Sequence, residues 1–162
     1  MPIGLSNSVQ TLSERHWVSF EVDRRSYAIP VSAVTRVVRA VSLTPVPHGP
    51  DLLLGLLDLH GRILPVLNLR RRLGLSDQPL KPSDRLMVVR AGERELAMPV
   101  DAVHGVVAVD LSAVTGGEAI LEGLELTATL AGGAQLVLMY EPELLLADGM
   151  HLAAELDEES ER

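Results

Sequence analysis

Asp58 and His60 are the side chains in this sequence best suited to chemistry. They are a carboxylate and an imidazole two residues apart, a spacing that puts both on one face of a strand. Such a pair could relay a proton or supply two ligands to a divalent cation. Two ligands do not complete a metal site, and His48, His104 and His151 are too distant in sequence to be assigned to the same one. The simpler reading of the pair is a solvated hairpin tip. The surrounding stretch, Gly55 to Gly61, lacks the Gly-Lys-Ser/Thr ending and the spacing of a phosphate cradle. The chain contains no cysteine, which removes thiol catalysis, zinc fingers and iron–sulfur ligation and fits a reducing compartment. No catalytic residue, metal or cofactor is expected.

Arg70, Arg71 and Arg72 form the one dense basic run. It could meet an acidic partner or a phosphate, but runs of like charge are more often the wet side of a short helix. Asp101 follows an apolar strand and is expected to cap a turn by accepting backbone N–H bonds, with a surface contact as the other reading.

The elements that would carry these groups are mostly strands, and they come in two copies. Tyr27 to Val38 reads YAIPVSAVTRVV, and 69 residues later Leu96 to Val107 reads LAMPVDAVHGVV, with seven of twelve positions identical. A repeat of this kind predicts two similar units related by a pseudo-twofold axis, with a groove between them. In the first unit, Val18, Phe20 and Val22 alternate with polar residues, and a turn at Asp23 leads to Tyr27, Ile29 and Val31. Pro30 marks a strand end because it cannot donate to a ladder. Strands over Val34 to Arg39, Leu52 to Leu59 and Arg62 to Leu67 complete five, the last two joined by a tight turn at His60-Gly61. One or two helical turns over Leu69 to Leu73 should stop at Gly74.

The second unit repeats the order with strands over Arg85 to Arg90, Glu95 to Val100 and Val103 to Val109. A final hairpin over Leu124 to Leu130 and Gln135 to Tyr140 follows a loop at Thr115 to Glu118. A closing helix is expected over Glu141 to Ala147. Ten short strands with turn signals between them imply an all-β chain of two five-stranded barrels, since closure removes sticky edges. The organisation expected is a flexible N-terminus (1–14), a first barrel (15–75), a linker (76–83), a second barrel (84–148) and an acidic tail (149–162). The valines of the repeat raise a question of facing. Val34 and Val37, like Val103 and Val106, are three apart, so one of each pair should turn outward unless a bulge or turn intervenes.

Composition bounds the partners. A net charge of −8 opposes nucleic-acid binding, which draws its affinity from Lys and Arg on phosphates. Four aromatics, Trp17, Phe20, Tyr27 and Tyr140, are too few for base stacking and leave an aliphatic core. The N-terminus does not look like a secretory signal, and the most apolar stretch, Leu52 to Leu69, is interrupted by Asp58, His60, Arg62 and Asn68. A cytoplasmic address with no membrane insertion is the expectation. The second functional class the residues leave open is a small-ligand or metal-binding β-barrel built around Asp58 and His60.

Taken together, Tyr27-Ala-Ile-Pro-Val31, Val34 with Val37, Pro45 with Pro47, Gly55 to Gly61, Ile63-Leu-Pro-Val66 with Leu69, Leu73-Gly-Leu75 and Val100-Asp-Ala-Val103 with Val106 resemble the CheW-like adaptors of bacterial chemosensory arrays. The resemblance runs from about residue 15 to residue 147. It implies two intertwined SH3-like five-stranded barrels, no enzymatic activity and no cofactor. The implied partners are the hairpin tip of a methyl-accepting chemotaxis receptor and the regulatory domain of a CheA-type histidine kinase. The protein alone would be a monomer, recruited from the cytoplasm to membrane-associated receptor arrays. The resemblance assigns Val34, Arg36, Val37, His60, Val103 and Val106 to a receptor-binding groove, and Arg39, Gly61 and Asp101 to a kinase-contact or turn region. Arg36 stands where the family usually has Glu, and His60 where it usually has Arg. The resemblance therefore implies a dedicated partner with compensating charges.

Overall fold

The computed structural model describes residues 14–110, 114–115, 126–129 and 135–138. The expected closing helix at Glu141 to Ala147, the N-terminal segment and the acidic tail lie outside them. The strands are β1 (Glu14–Val22), β2 (Arg25–Pro30), β3 (Val34–Arg39), β4 (Leu53–Leu59), β5 (Arg62–Leu67), β6 (Arg85–Ala91), β7 (Arg94–Val100), β8 (Ala102–Asp110), β9 (Val114–Thr115), β10 (Leu126–Thr129) and β11 (Gln135–Leu138). Helix α1 (Leu69–Arg72) follows β5. Val18, Phe20, Val22, Tyr27 and Ile29 are buried as expected, but so are Ser19 and Ala28 between them, and Val31 leaves the strand for a turn. Strand β2 ends at Pro30, and Thr115, expected in a loop, instead ends the short strand β9.

Two sheets form, in the orders β8-β1-β2-β11-β10-β9 and β3-β6-β7-β5-β4. Numbered within each repeat, both sheets have the strand order 3-1-2-5-4, and β9 is an addition at one end. In both, the bond between the second and fifth strands is parallel while the others are antiparallel. The repeat in the sequence is thus a repeat in space. The expected division into barrels over 15–75 and 84–148, however, separates the repeats and not the sheets. The β1–β2 hairpin of the first half pairs with β8 and β11 of the second, while β6–β7 pairs with β3 and β5. Each half lends its first hairpin to the other.

The duplicated motif is where the chain changes sheets. After β2, a 3₁₀ turn over Val31–Ala33 carries it to β3, closed by the Val34 N–H donating to the Val31 carbonyl. After β7, Asp101 alone separates Val100 from β8. Proline at Pro30 suits this position because a strand that must stop pairing loses nothing by lacking the donor.

Burial follows from the exchange. Val18, Phe20, Val22, Tyr27 and Ile29 of the first sheet pack with Met87, Val89, Ala91, Leu96, Met98 and Val100 of the second in one apolar cluster. Phe20 and Tyr27 are paired in register, with ring centroids 5.9 Å apart. Strand β6 is buried on both faces, since Leu86 and Val88 turn the other way into a second cluster with Leu57, Leu64, Val66 and Ala97. Trp17, Ala28 and Val109 are buried on the outer face of the first sheet.

Two turns show why particular residues close the hairpins. His60 and Gly61 both have positive φ, 54° and 87°, the conformation of the tight two-residue connection that matches strand twist. Gly74, at φ 74°, ends α1 with a paired arrangement. Its N–H donates to the Arg71 carbonyl at 3.1 Å, and the Leu75 N–H donates to the Arg70 carbonyl at 2.7 Å.

Because Met87 is enclosed between the sheets, Met87→Ala should lower unfolding free energy by about 2–5 kcal/mol. Ile63→Ala on the open face of β5 should change it by under ~1 kcal/mol. Urea titration of both variants against the wild type checks the difference.

Candidate functional site

β3 and β8 occupy equivalent places at the ends of their sheets, and each begins with an irregularity. In β3, Val34 is opposite Val89 and Arg36 opposite Val88, so Thr35 is an extra residue. In β8, Val103 is opposite Phe20 and Gly105 opposite Ser19, so His104 is extra. Thr35 and His104 are 69 residues apart, the same offset as the repeat. Gly105, at φ 124°, supplies the backbone freedom that such a bulge demands. The Thr35 hydroxyl donates to the Val88 carbonyl at 3.1 Å, and His104 Nε2 lies 3.3 Å from Glu21 Oε2.

These bulges answer the question of facing. One inserted residue restores the parity that a three-residue step breaks, so Val37 lies opposite Met87 and Val106 opposite Val18. Those partners belong to the shared cluster, as do Val89 and Phe20 opposite Val34 and Val103. All four valines therefore point to the inner faces of the two sheets. Val34 and Val103 are half-buried against the cluster, whereas Val37 is 39% and Val106 61% exposed. The shared core thus reaches the surface along a seam of two edge strands, β3 through Val37 and β8 through Val106.

Charge lies along the edge strand β3, on both of its faces. Arg39 continues the face of Val37 and stands opposite Arg85, whereas Arg36, opposite Val88 of the second cluster, is on the other face. Arg36 and Arg39 are exposed and make no ion pair or side-chain hydrogen bond among the described residues. The positions equivalent to Arg36 and Arg39 in β8 are Gly105 and Ala108, so neither cation has a counterpart on that strand.

The other candidate residues fall elsewhere. His60 and Gly61 sit at the β4–β5 tip, on the far strands of their sheet in pairing order from β3. Asp58 Oδ1 accepts the Gly61 N–H at 2.9 Å, so this carboxylate holds the turn. Among the described residues, no group of three or more acidic, His or Cys side chains could hold a metal ion. Asp101 caps as expected, its Oδ2 accepting the Asp23 N–H at 2.8 Å.

The arginine run differs from the expected wet face. Arg70 is only 13% exposed and pairs with Asp101, while Arg71 is bound to Asp77. The hydrogen bond from Arg71, joined by one from Asn68 Nδ2 at 3.2 Å, holds the Asp77 carboxyl below the ordinary carboxylate range. Sequence reasoning missed Arg70 as a partly buried, paired cation because nothing local distinguishes it from its two neighbours. The bulge at Gly105 did leave a signal, a glycine inside an apolar strand.

A CheW-like domain matches residues 16–150. The chain belongs to this family. Among its relatives, the chemotaxis protein CheW of Thermotoga maritima is 35% identical over 98 residues, 60% of this chain and 64% of that protein. The protein FrzA of Myxococcus xanthus is 33% identical over 121 residues, 72% of this chain and 76% of FrzA. The chain spans about half of another curated relative, the CheW of Helicobacter pylori, at 28% identity. The crystal structure of the scaffolding protein TtCheW from Thermoanaerobacter tengcongensis superposes with a TM-score of 0.69 at 24% identity, covering 77% of this chain and 88% of that one. That likeness shows the fold, an SH3-like pair of β-sheets, and the family is one of chemotaxis scaffolds. No described helix of this CheW-like chain is long and apolar enough to cross a membrane.

The Asp77 pairing carries a pH dependence of definite sign. A carboxyl whose pKa is lowered by folding stabilises the folded state at neutral pH, and the increment is lost as pH falls through the lowered value. Asp77→Asn should therefore be less stable than the wild type at pH 7. The gap in urea midpoint should close as the pH drops below the ordinary carboxylate range.

Proposed function

We propose that this chain is a non-enzymatic adaptor that couples the hairpin tip of a methyl-accepting chemotaxis receptor to the regulatory domain of a CheA-type histidine kinase. It works in the cytoplasm, on membrane-associated arrays, and is a monomer when alone. The observation that carries this reading is the seam: four valines on the edge strands of the two sheets stand on the faces that cover the shared core, and two of them are open to solvent. An amphipathic receptor helix can lay its own apolar stripe along such a surface. The kinase is met by a similar barrel pairing with a sheet of this one, around Arg39, Gly61 and Asp101.

The cation at the edge of β3 narrows the receptor. Among the described residues Arg36 has no carboxylate partner, so a helix that reaches over this edge carries acidic residues there, and mismatched receptors bearing cations are disfavoured. The family resemblance places Glu where Arg36 stands, so charge reversal separates this chain's partner from the commoner ones. The metal- or ligand-barrel reading has less support, because Asp58 already serves the Gly61 turn.

Titration with the cognate receptor tip tests the assignment. Val106→Asp should weaken binding at least tenfold, about 1.4 kcal/mol, with an unchanged urea midpoint. Arg36→Glu should likewise lower affinity for that receptor, whereas Ile63→Asp should leave it unaltered. Wild-type affinity in both Val106→Asp and Arg36→Glu would remove the seam as the receptor site.

A further inference from the structure

One ionic cluster ties together elements that belong to different sheets. Arg70, in α1 directly after β5 of the second sheet, places Nη2 2.8 Å and 2.9 Å from the two carboxylate oxygens of Asp101. Its Nη1 lies 3.7 Å from Oδ1 of Asp23, at the turn of the β1–β2 hairpin in the first sheet. Asp101 adds two backbone bonds to that hairpin. Its Oδ2 accepts the Asp23 N–H at 2.8 Å, and its own N–H donates to the Glu21 carbonyl at 2.8 Å. A guanidinium largely removed from water and held between two carboxylates is weakly screened and geometrically demanding.

The cluster is one-sided. The repeat offset of 69 maps Asp101 onto Ser32 and Asp23 onto Gly92, neither of which can accept from a guanidinium as a carboxylate does. The β2-to-β3 passage is closed instead by the local 3₁₀ hydrogen bond from the Val34 N–H to the Val31 carbonyl. So the entry to β3 is closed by a local turn and the neutral Thr35–Val88 hydrogen bond, while the entry to β8 is held by charged groups 31 and 78 residues away from Asp101. Asp101 stands two residues before Val103, ahead of the His104 bulge that aims both valines of that strand inward.

We infer that Arg70 is a positioning residue for the seam. Through Asp101 it fixes where β8 starts, and so holds in place Val103 and Val106, the part of the seam that β8 supplies. The link to binding rests on the seam being the receptor surface, but the conformational part does not. Loss of the guanidinium frees one edge strand and leaves the other as it was.

Amide hydrogen exchange by NMR on the full chain separates this from a general structural role, because local and global opening can be told apart residue by residue. In Arg70→Met, and in Asp101→Asn as an independent variant, protection at Val103 and Val106 should fall at least tenfold more than at Val34 and Val37. Arg70→Lys, which keeps the cation, should recover part of that protection. If both edge strands lose protection in parallel with the urea midpoint, Arg70 is an ordinary stabilising residue and the inference is overturned. If β8 loosens selectively, titration with the receptor tip gives a separate answer. Weakened binding supports the whole chain of inference, and unchanged binding removes the seam as the receptor site while the positioning role stands.

Discussion

The apolar layer between the two sheets is the constraint on which everything else depends. Neither repeat supplies both sides of its own sheet, so Phe20, Tyr27, Met87 and Val89 are fully covered only after the hairpins have been exchanged. Full burial of such side chains stabilises by about 1.5–3 kcal/mol each, which makes this layer a large favourable contribution to folding. The seam is the same layer where it runs out of cover. Val34 and Val103 belong half to the core and half to the surface, and Val37 and Val106 complete the passage from one to the other. In the function proposed, stability and recognition therefore draw on one set of faces.

Much of this was legible in the residues. Alternation located the first hairpin, turn signals and the repeated motif placed the other strands, and the turn at His60-Gly61 and the stop at Gly74 followed from φ requirements that the structure meets at both places. Hairpin exchange was beyond what alternation could reveal. The pattern of a strand says which face is apolar but not which sheet will cover it, and β1 would alternate identically in either partner sheet. The family resemblance alone implied intertwining. Facing of the valines was posed correctly as conditional on a bulge, and Gly105 was the clue to its presence. Thr35, the matching extra residue in β3, carries no glycine beside it and left no such trace.

Charge was read least well, for a physical reason. Arg70, Arg71 and Arg72 are chemically alike, yet the short helix turns them toward different surroundings: Arg70 toward Asp101 and Asp23, Arg71 toward Asp77 and Asp51. The carboxylates that decide their fates lie on distant or unpatterned segments, so composition could not sort them. Arg36 and Arg39, by contrast, stand on a strand whose neighbours are valines, and they remain unpaired among the described residues. The cations that matter for stability and those open to a partner are distinct sets, and only tertiary structure tells them apart.

The exchange of hairpins also governs how the molecule is made. Emerging from the ribosome, β1 and β2 meet neither of their flanking strands until β8 and β11 have been synthesised, more than 70 residues later. Until then the β1–β2 pair is an orphan ribbon with Phe20 and Tyr27 uncovered, and an isolated two-stranded hairpin is marginal in water. Most productive encounters are consequently long in sequence separation, which slows folding and prolongs exposure of sticky intermediates. A nascent chain of this design must be kept from its neighbours until its second half arrives.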